Sequence, residues 1–331
     1  MSKLHSNISV FVPHVGCPNK CSFCNQRYIT GVSKAPSAQD VVMAVIEAQK
    51  SKNYDPKTTE IAFFGGSFTA INRNYMISLL QAASKFVEDE IVAGIRISTR
   101  PDAINDGILH LLRAYHVTAI EIGAQSLNDK VLKMNNRGHT AADVEKACGL
   151  IREYGFELGL QMMTGLYGDD TLSTLETVKK IIKLKPDTVR IYPAIVLKDT
   201  YLAALYADRF YKPQSLNDAI ALCAKIYPMF TENNIRVIRL GLHSIEDGSY
   251  IAGPWHPAFS ELCLSQILLN QVLKELKDKG DYTIYVNKSD VSKMIGQKRS
   301  NIMHLESLGF NCSVKASTLV NEMEFKIERK V

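Results

Sequence analysis

Short apolar segments alternate with longer amphipathic ones along most of the chain, and this alternation constrains the fold more than any other feature. Six apolar segments begin at Ser9, Glu60, Ile95, Ala119, Leu158 and Val189. Each is nearly continuous in apolar residues, which is typical of parallel strands covered by helices. Six successive strand–helix units predict an α/β fold whose sheet is a partial (β/α)6 barrel, although a doubly wound sheet would show the same alternation.

The intervening segments carry helix signals. Ser37 lies three residues before Asp40, which predicts an N-cap for the first helix. Further helices are predicted near 75–86, 102–115, 140–154, 171–182 and 216–230. Because a helix follows each of the strand candidates, we expect parallel connections throughout this part of the chain.

The pattern changes after the strand-like segment that begins at Arg236. Residues 241–259 are rich in Gly, Pro, His and Ser, and a helix, a strand, a helix–turn–helix and two strands are predicted after them. We therefore predict a barrel domain over 1–245 and a small α+β extension over 246–331. Residues 294–302 resemble the Gly-x-x-Gly loop of a KH module, which binds nucleic acid, but Arg299 stands in place of the second glycine. A charged element that binds no RNA explains this segment equally well.

Three of the seven cysteines, Cys17, Cys21 and Cys24, lie within eight positions just after the first strand candidate. Such crowding indicates metal ligation rather than a set of disulfides. Three thiolates at this spacing suit three irons of a cubane cluster, and the fourth iron is left for the amino and carboxylate groups of a small molecule. A zinc site with His14 as a fourth ligand, and an arrangement without metal, are the alternatives.

The C-x3-C-x2-C pattern, with Phe23 before its last cysteine, resembles the signature of the radical S-adenosylmethionine (radical-SAM) enzymes. The chain is similar to the radical-SAM half of the Elongator catalytic subunit and related bacterial proteins, and more distantly to the oxygen-independent coproporphyrinogen oxidases. The resemblance implies a [4Fe–4S] cluster, S-adenosyl-L-methionine and a one-electron reductant of the flavodoxin or ferredoxin type. It implies reductive cleavage of the cofactor to a 5′-deoxyadenosyl radical that acts on an unidentified substrate.

The resemblance also implies cofactor-binding residues at the turn after the second strand. Glycines there let the backbone approach a ligand and expose carbonyl groups to an ammonium. The family holds the methionine amino group at this position, which transfers that role to Gly65, Gly66, Ser67 and Thr69. A tight strand–helix turn without a ligand is the alternative.

Three further residues match the family's cofactor site. Gln125 follows the fourth strand candidate, where an amide suits ribose hydroxyls, and Arg137 offers a planar fork for a carboxylate. Gln161 is polar within an otherwise apolar strand, so it needs a buried partner or a ligand. The coproporphyrinogen oxidases carry an Asp near this position, whereas the Elongator relatives carry Gln.

Charge and hydropathy limit the partners. The formal net charge of +5 is mild, so it permits an anionic or RNA substrate without requiring one. No secretory signal or long apolar stretch is evident, and we predict a cytoplasmic protein that does not enter a membrane. The Elongator resemblance implies tRNA as a substrate class. A non-catalytic iron–sulfur protein that binds RNA or senses redox state is the alternative function.

Overall fold

The computed structural model describes residues 6–12, 17, 21–26, 28, 34–242 and 245–330. The chain forms two compact units, the first of Met1–Gln214 with Phe230–Pro254 and the second of Ser215–Met229 with Trp255–Val331. The sequence predicts one boundary, after residue 245. In the structure, residues 215–229 also group with the C-terminal part of the chain.

The first unit contains a seven-stranded parallel sheet. Its described strands are β1 (Ser6–Val12), β2 (Thr59–Gly65), β3 (Gly94–Thr99), β4 (Val117–Gln125), β5 (Glu157–Thr164), β6 (Thr188–Pro193), β7 (Val196–Leu197), β8 (Arg236–Leu240) and β9 (Tyr250–Ala252). The large sheet has the order β1-β2-β3-β4-β5-β6-β8, and β7 pairs with β9 separately. All six predicted strands are present, and the strand-like segment at Arg236 adds a seventh.

The strand order decides between the two arrangements that the sequence allows. A doubly wound sheet reverses direction at a switch point, whereas here the order follows the chain from one edge to the other. Right-handed crossovers that all run in one direction place their helices on the same face and curl the sheet. The fold is therefore a curled half-barrel of the α/β class, and the loops at the carboxyl ends of its strands lie along one rim.

The helices before the second unit are short and mostly well capped. They are α1 (Ala38–Gln49), α2 (Arg73–Glu88), α3 (Asp106–Ala114), α4 (Asp129–Met134), α5 (Ala141–Glu153), α6 (Thr171–Leu184) and α7 (Tyr201–Ala207). Ser37 and Asp40 form the predicted capping box of α1. No helix within the described ranges is long and apolar enough to cross a membrane.

A network of ion pairs lies inside the barrel. The Arg96 side chain is 1% exposed, and its Nε donates to Glu60 Oε2 at 2.7 Å. Glu121 is also 1% exposed and accepts from Arg190 Nε at 2.7 Å and from Arg190 Nη2 at 2.9 Å. Paired buried charges avoid the cost of an isolated one, so the network fixes the mutual placement of β2, β3, β4 and β6.

The second unit contains the helix–turn–helix and the strands that the sequence predicts. Its elements are α8 (Leu216–Thr231, up to Met229), α9 (Phe259–Glu275), β10 (Gly280–Val286), α10 (Val291–Ile295), α11 (Ser300–Ser307), β11 (Phe310–Ala316) and β12 (Phe325–Arg329). Central β10 runs parallel to β11 and antiparallel to β12. Leu268, Val272, Ile284 and Leu305 belong to a buried apolar core.

Candidate cluster and cofactor site

The three clustered cysteines line one cavity of about 510 Å³ at the carboxyl rim of the half-barrel. We call it the rim cavity, and besides the cysteines its lining includes Gly65, Gly66, Ser67, Gln125, Arg137 and Gln161. Burial raises the pKa of the Cys17 thiol and raises that of Cys24 to about 12, and the neighbouring thiols add to both shifts.

The placement of the thiols bears on the kind of metal group they suit. Among the described residues, no three His, Cys, Asp or Glu side chains are placed to share a single metal ion. In a cubane cluster each thiolate binds a different iron, so the sulfur atoms surround a space instead of one point. Three cysteines around one cavity match that requirement.

The loop of Cys21 and Cys24 is held by a buried asparagine. Ser22 donates through its backbone N–H to Asn135 O at 3.1 Å and through its hydroxyl to Asn135 Oδ1 at 2.6 Å. From the other side, Leu202 N donates to Ser22 O at 2.7 Å. Because Asn135 is fully buried, these bonds fix the cysteine loop against the end of α4 and the start of α7.

The glycine turn after β2 is shaped by close contact with β1. Gly65 has a φ of +110°, and a Cβ there would lie 2.8 Å from the carbonyl oxygen of Val12. Gly66 N donates to that same oxygen at 2.7 Å. The Gly65 carbonyl accepts from Gln26 Nε2 at 2.6 Å. The turn therefore requires glycine at 65, and it connects the cysteine loop with the sheet.

Ser67 and Thr69 differ in where they lie. Ser67 lines the rim cavity, and its hydroxyl lies 2.8 Å from Thr99 Oγ1. Thr69 is buried and is not part of the lining of the rim cavity. Its hydroxyl donates to Ala103 O at 2.8 Å and contacts Thr99. In this structure Thr69 stabilises the turn after β2 through these two contacts.

Gln125 ends β4 in an uncommon conformation. Its φ is +63°, and the pairing of β4 with β5 shifts between Gly123 and Gln125. The side chain is 9% exposed, and its Oε1 has no hydrogen-bond partner within the described structure. A non-glycine residue in the left-handed region with an unsatisfied amide at a cavity is a feature of binding sites.

Arg137 reaches the cavity from the loop between α4 and α5. One guanidinium nitrogen, Nη1, donates to Cys21 Sγ at 3.0 Å, and Nη2 donates to the carbonyl oxygen of Gly123 at 2.6 Å. Its Nε is buried without a partner among the described atoms, and the guanidinium lies 6.0 Å from the centre of the Phe23 ring. The guanidinium thus keeps one N–H without an acceptor among the described atoms.

Gln161 is oriented by the charge network below it. Its Nε2 donates to Glu121 Oε2 at 2.9 Å and to Ser98 Oγ at 3.2 Å. A carboxylate accepts only, so it fixes the amide with its nitrogen towards Glu121 and its Oε1 away from it. Gln161 lines the rim cavity.

A second cavity of about 690 Å³, which we call the inner cavity, adjoins the rim cavity and shares several lining residues with it. The shared residues are Phe23, Cys24, Gln26, Gly65, Ser98, Gln125 and Gln161. Flat groups line one wall: the rings of Phe11 and Phe64 are 6.4 Å apart, and the Arg190 guanidinium lies 5.1 Å from the centre of Phe64. Such a wall suits a planar ligand.

Residues after β8 contribute to the inner cavity as well. Leu242, Ile245 and Glu246 line it, together with Ile195 and Leu197 around β7. This segment is fastened by a bond from Glu246 N to Tyr28 O at 2.9 Å and by the β7–β9 pairing. Leu242, Ile245 and Glu246 thus form part of the cavity wall.

Sequence reasoning missed Gln26, Asn135 and Arg190 at the site. Gln26 and Asn135 lie next to the quoted motifs, two residues beyond Cys24 and two residues before Arg137, so adjacency was the available signal. Arg190 is a charged residue inside an apolar strand, which by itself indicates a buried partner. Its partner, Glu121, is 69 residues away in the chain.

A sequentially ordered parallel half-barrel, with three cysteines and two unsatisfied polar atoms at one rim cavity, defines a class of enzymes that bind a cofactor at the strand ends. The comparison with family models agrees. Residues 11–191 match the Radical SAM superfamily, and residues 186–268 match the Radical SAM C-terminal domain. The chain belongs to the Radical SAM superfamily and is an enzyme of that superfamily.

The chain is similar to several curated proteins. An uncharacterised protein of Methanocaldococcus jannaschii is 25% identical, with 82% of this chain and 79% of the relative covered. A tRNA uridine(34) acetyltransferase of Dehalococcoides mccartyi is 25% identical, with 66% of this chain and 55% of the relative covered. Elongator complex protein 3 of Bos taurus is 30% identical, with 55% of this chain covered. The chain spans only 37% of that last protein's length.

Solved structures show the same fold. Elp3 of the archaeon Methanocaldococcus infernus has a TM-score of 0.67 at 20% identity, with 83% of this chain and 65% of that chain covered. SuiB of Streptococcus suis, in a structure bound to S-adenosylmethionine, has a TM-score of 0.51 at 18% identity, with 73% of this chain and 52% of that chain covered.

Proposed function

We propose that Cys17, Cys21 and Cys24 hold a [4Fe–4S] cluster, and that the enzyme cleaves S-adenosylmethionine reductively to act on a nucleoside of tRNA. One observation carries this proposal. The three cysteines share the rim cavity with six of the seven predicted cofactor residues, which come from β2, β4, β5 and the loop before α5. A cytoplasmic location and a reductant of the flavodoxin or ferredoxin type, both predicted from the sequence, belong to the same proposal.

The residues around the rim cavity fit the two groups. The amide oxygen Oε1 of Gln125 and Nε of Arg137 are buried without partners among the described atoms, and they offer one acceptor and one donor to a ligand. An amino acid presents an ammonium and a carboxylate, which have the complementary character. Gln161 lines the same cavity, and because its Nε2 is engaged by Glu121 and Ser98, its Oε1 is the atom left for a donor such as a ribose hydroxyl.

When bound, the cluster and S-adenosylmethionine supply the electron, the methionine product and a 5′-deoxyadenosyl radical that abstracts hydrogen from the substrate. The chain's own residues bind and orient. Gly65 and Gly66 bring the backbone close to the cavity, and Arg137 has its Nε–H to donate to a carboxylate. The side chains of Leu242, Ile245, Phe11 and Phe64 make part of the inner cavity wall apolar, which would disfavour water where a reactive species needs protection.

A planar base suits the inner cavity, and the curated relatives named for tRNA uridine(34) acetylation support tRNA as its source. The second unit adds a basic loop. Gly296, Lys298 and Arg299 all have positive φ, at 80°, 54° and 64°, immediately before α11. Two consecutive non-glycine residues in this conformation are strained, and such strain is often retained at functional loops. We propose that this loop contacts the tRNA backbone.

The central experiment is anaerobic reconstitution with iron and sulfide, followed by an assay for 5′-deoxyadenosine in the presence of dithionite. We expect product from the wild type and none from Cys24→Ala. Cys148→Ala is the matched control, because Cys148 is buried within α5 and is not part of the rim cavity lining. Replacement of dithionite by a reduced flavodoxin or ferredoxin tests the proposed electron donor.

The same assay distinguishes the proposed enzyme from the alternative, a non-catalytic iron–sulfur protein. That alternative predicts an intact cluster, shown by its visible and EPR spectra, without 5′-deoxyadenosine under any reductant. A zinc protein would show neither the cluster spectra nor product. Either result would refute the proposed function.

The tRNA part is tested separately by binding and by stimulation. We expect total tRNA to bind the wild type and to raise the rate of 5′-deoxyadenosine formation. The double variant Lys298→Glu/Arg299→Glu should bind tRNA at least tenfold more weakly, because it reverses two charges at the loop. The control is Lys274→Glu/Lys277→Glu, an equal charge change at exposed positions near the end of α9. Equal losses in both variants would contradict a role for the loop.

A further inference from the structure

We propose that Arg137 tunes the reduction potential of the iron–sulfur cluster through the hydrogen bond it donates to Cys21, in addition to any contact with the cofactor. This inference rests on the proposed function, because it requires Cys21 to be a cluster ligand. It concerns a different property of the site, namely the reduction potential of the cluster.

The Arg137 guanidinium donates two hydrogen bonds at once. Arg137 Nη1 donates to Cys21 Sγ at 3.0 Å, which lies well within the range of an N–H···S hydrogen bond, and Nη2 donates to Gly123 O at 2.6 Å. These two bonds fix the plane of the guanidinium. Neither bond uses the Nε–H, which has no acceptor among the described atoms, so a carboxylate that binds there leaves the bond to sulfur intact.

The local backbone holds Arg137 in this position. Asn136 and Gly138, on either side of it, have φ values of +53° and +69°, and Arg137 N donates to Leu132 O at 3.1 Å. The neighbouring Asn135 anchors the cysteine loop through Ser22. One short segment after α4 therefore sets both the position of the cysteine loop and the position of the charge beside it.

The three cysteine ligands have unequal surroundings. Cys21 accepts a hydrogen bond from a cationic group, Arg137 Nη1, whereas the hydrogen bonds of the described residues include no such bond to Cys17 or Cys24. The Arg137 side chain is 7% exposed, so its charge is poorly screened by water. Among the described contacts of these thiols, the bond from Arg137 is the one that places a full positive charge at hydrogen-bond distance.

A cation at this distance favours the more negative state of the cluster. One-electron reduction adds a negative charge that the iron and sulfur atoms share, and a donor on a ligand sulfur stabilises that charge. Loss of the bond should therefore make reduction harder. We expect the equilibrium between reduced and oxidised cluster to shift about tenfold towards the oxidised form, which is about 59 mV for a one-electron couple.

Potentiometric titration of the reconstituted cluster, monitored by EPR without S-adenosylmethionine, tests the proposal. Arg137→Met and Arg137→Gln should lower the midpoint potential by this amount. Arg137→Lys, which keeps a charge but loses the planar fork, should lie between them and the wild type. Arg100→Gln is the matched control: Arg100 also lines the rim cavity, but its guanidinium is bound by Asp102. Its potential should change by less than half as much.

A second measurement needs no variant. In wild-type protein with ¹⁵N-labelled arginine, pulsed EPR of the reduced cluster should show hyperfine coupling to a guanidinium nitrogen. Absence of that coupling, or a wild-type potential in every Arg137 variant that keeps its cluster, would overturn the inference and leave the proposed function standing. Failure of the wild type to form a [4Fe–4S] cluster would instead refute the proposed function.

Discussion

Replacement of Glu121 by Gln should destabilise the barrel by about 3–5 kcal/mol, because it leaves Arg190 as an uncompensated buried charge. The exposed fractions of the two side chains are 1% and 9%, and two hydrogen bonds of 2.7 and 2.9 Å join them. Glutamine has nearly the size of glutamate, so no cavity forms and the loss is electrostatic. The new amide N–H groups also face the donors of Arg190 and Gln161.

Urea unfolding at neutral pH, followed by circular dichroism, measures the loss. The cycle of Glu121→Gln, Arg190→Gln and the double variant isolates the pair, and the double variant should be more stable than the sum of the single losses predicts. Glu47→Gln is the control, because Glu47 pairs with Lys50 at side-chain exposures of 74% and 66%. We expect that control to change the free energy of unfolding by less than about 0.5 kcal/mol.

A loss below about 1 kcal/mol for Glu121→Gln would refute this reasoning, since it lies below the range for a broken buried pair. Additive single losses would refute it as well. In either case, water would have to reach the pair.

Three further predictions concern the turn after β2, the acid stability of the first unit and the core of the second. Gly65→Ala should lower the free energy of unfolding in urea by about 2–3 kcal/mol and should lower iron incorporation, because the φ of residue 65 is +110° and the new Cβ meets Val12 O. Unchanged iron content would contradict this prediction. Burial, and after it the nearby Arg137 charge, lowers the pKa of His139 to about 4. The free energy of unfolding should therefore fall as the pH drops from about 6.5 to about 4. His139→Gln should flatten this pH dependence, whereas His110→Gln, at an exposed position, should not. Asn301→Asp should lower the melting temperature of the second unit, because the two N–H groups of Asn301 Nδ2 are shared among three backbone carbonyl oxygens and Ser265 Oγ within 3.3 Å, and a carboxylate would be repelled by those carbonyls. An unchanged melting temperature would show that those bonds contribute little.

The local elements were predictable because their determinants are local. The capping pair Ser37 and Asp40 and the six apolar segments specify helix starts and strands without reference to the rest of the chain. The choice between a half-barrel and a doubly wound sheet was not predictable in this way. It depends on which strands pair, and the same alternation along the chain is compatible with both.

The site shows the same division. Cys17, Cys21 and Cys24 could be grouped from their spacing, and Gln125, Arg137 and Gln161 could be placed at strand ends or nearby. The bond between Arg137 and Cys21 joins residues 116 positions apart, so spacing carries no information about it. Thr69 was expected among the cofactor residues, yet the short 3₁₀ turn Phe68–Ala70 directs its hydroxyl to Ala103, away from the rim cavity lining.

The one-way strand order of the first unit has a consequence for the size of molecule that its chemistry can reach. In the described residues β1 pairs with β2 and β8 pairs with β6, so each of these terminal strands has one neighbour in the sheet. A ring closed on all sides would admit only a detached small molecule through its mouth. An open half-barrel, which has a gap between its two terminal strands, also admits a single unit of a polymer that stays joined to its chain on both sides.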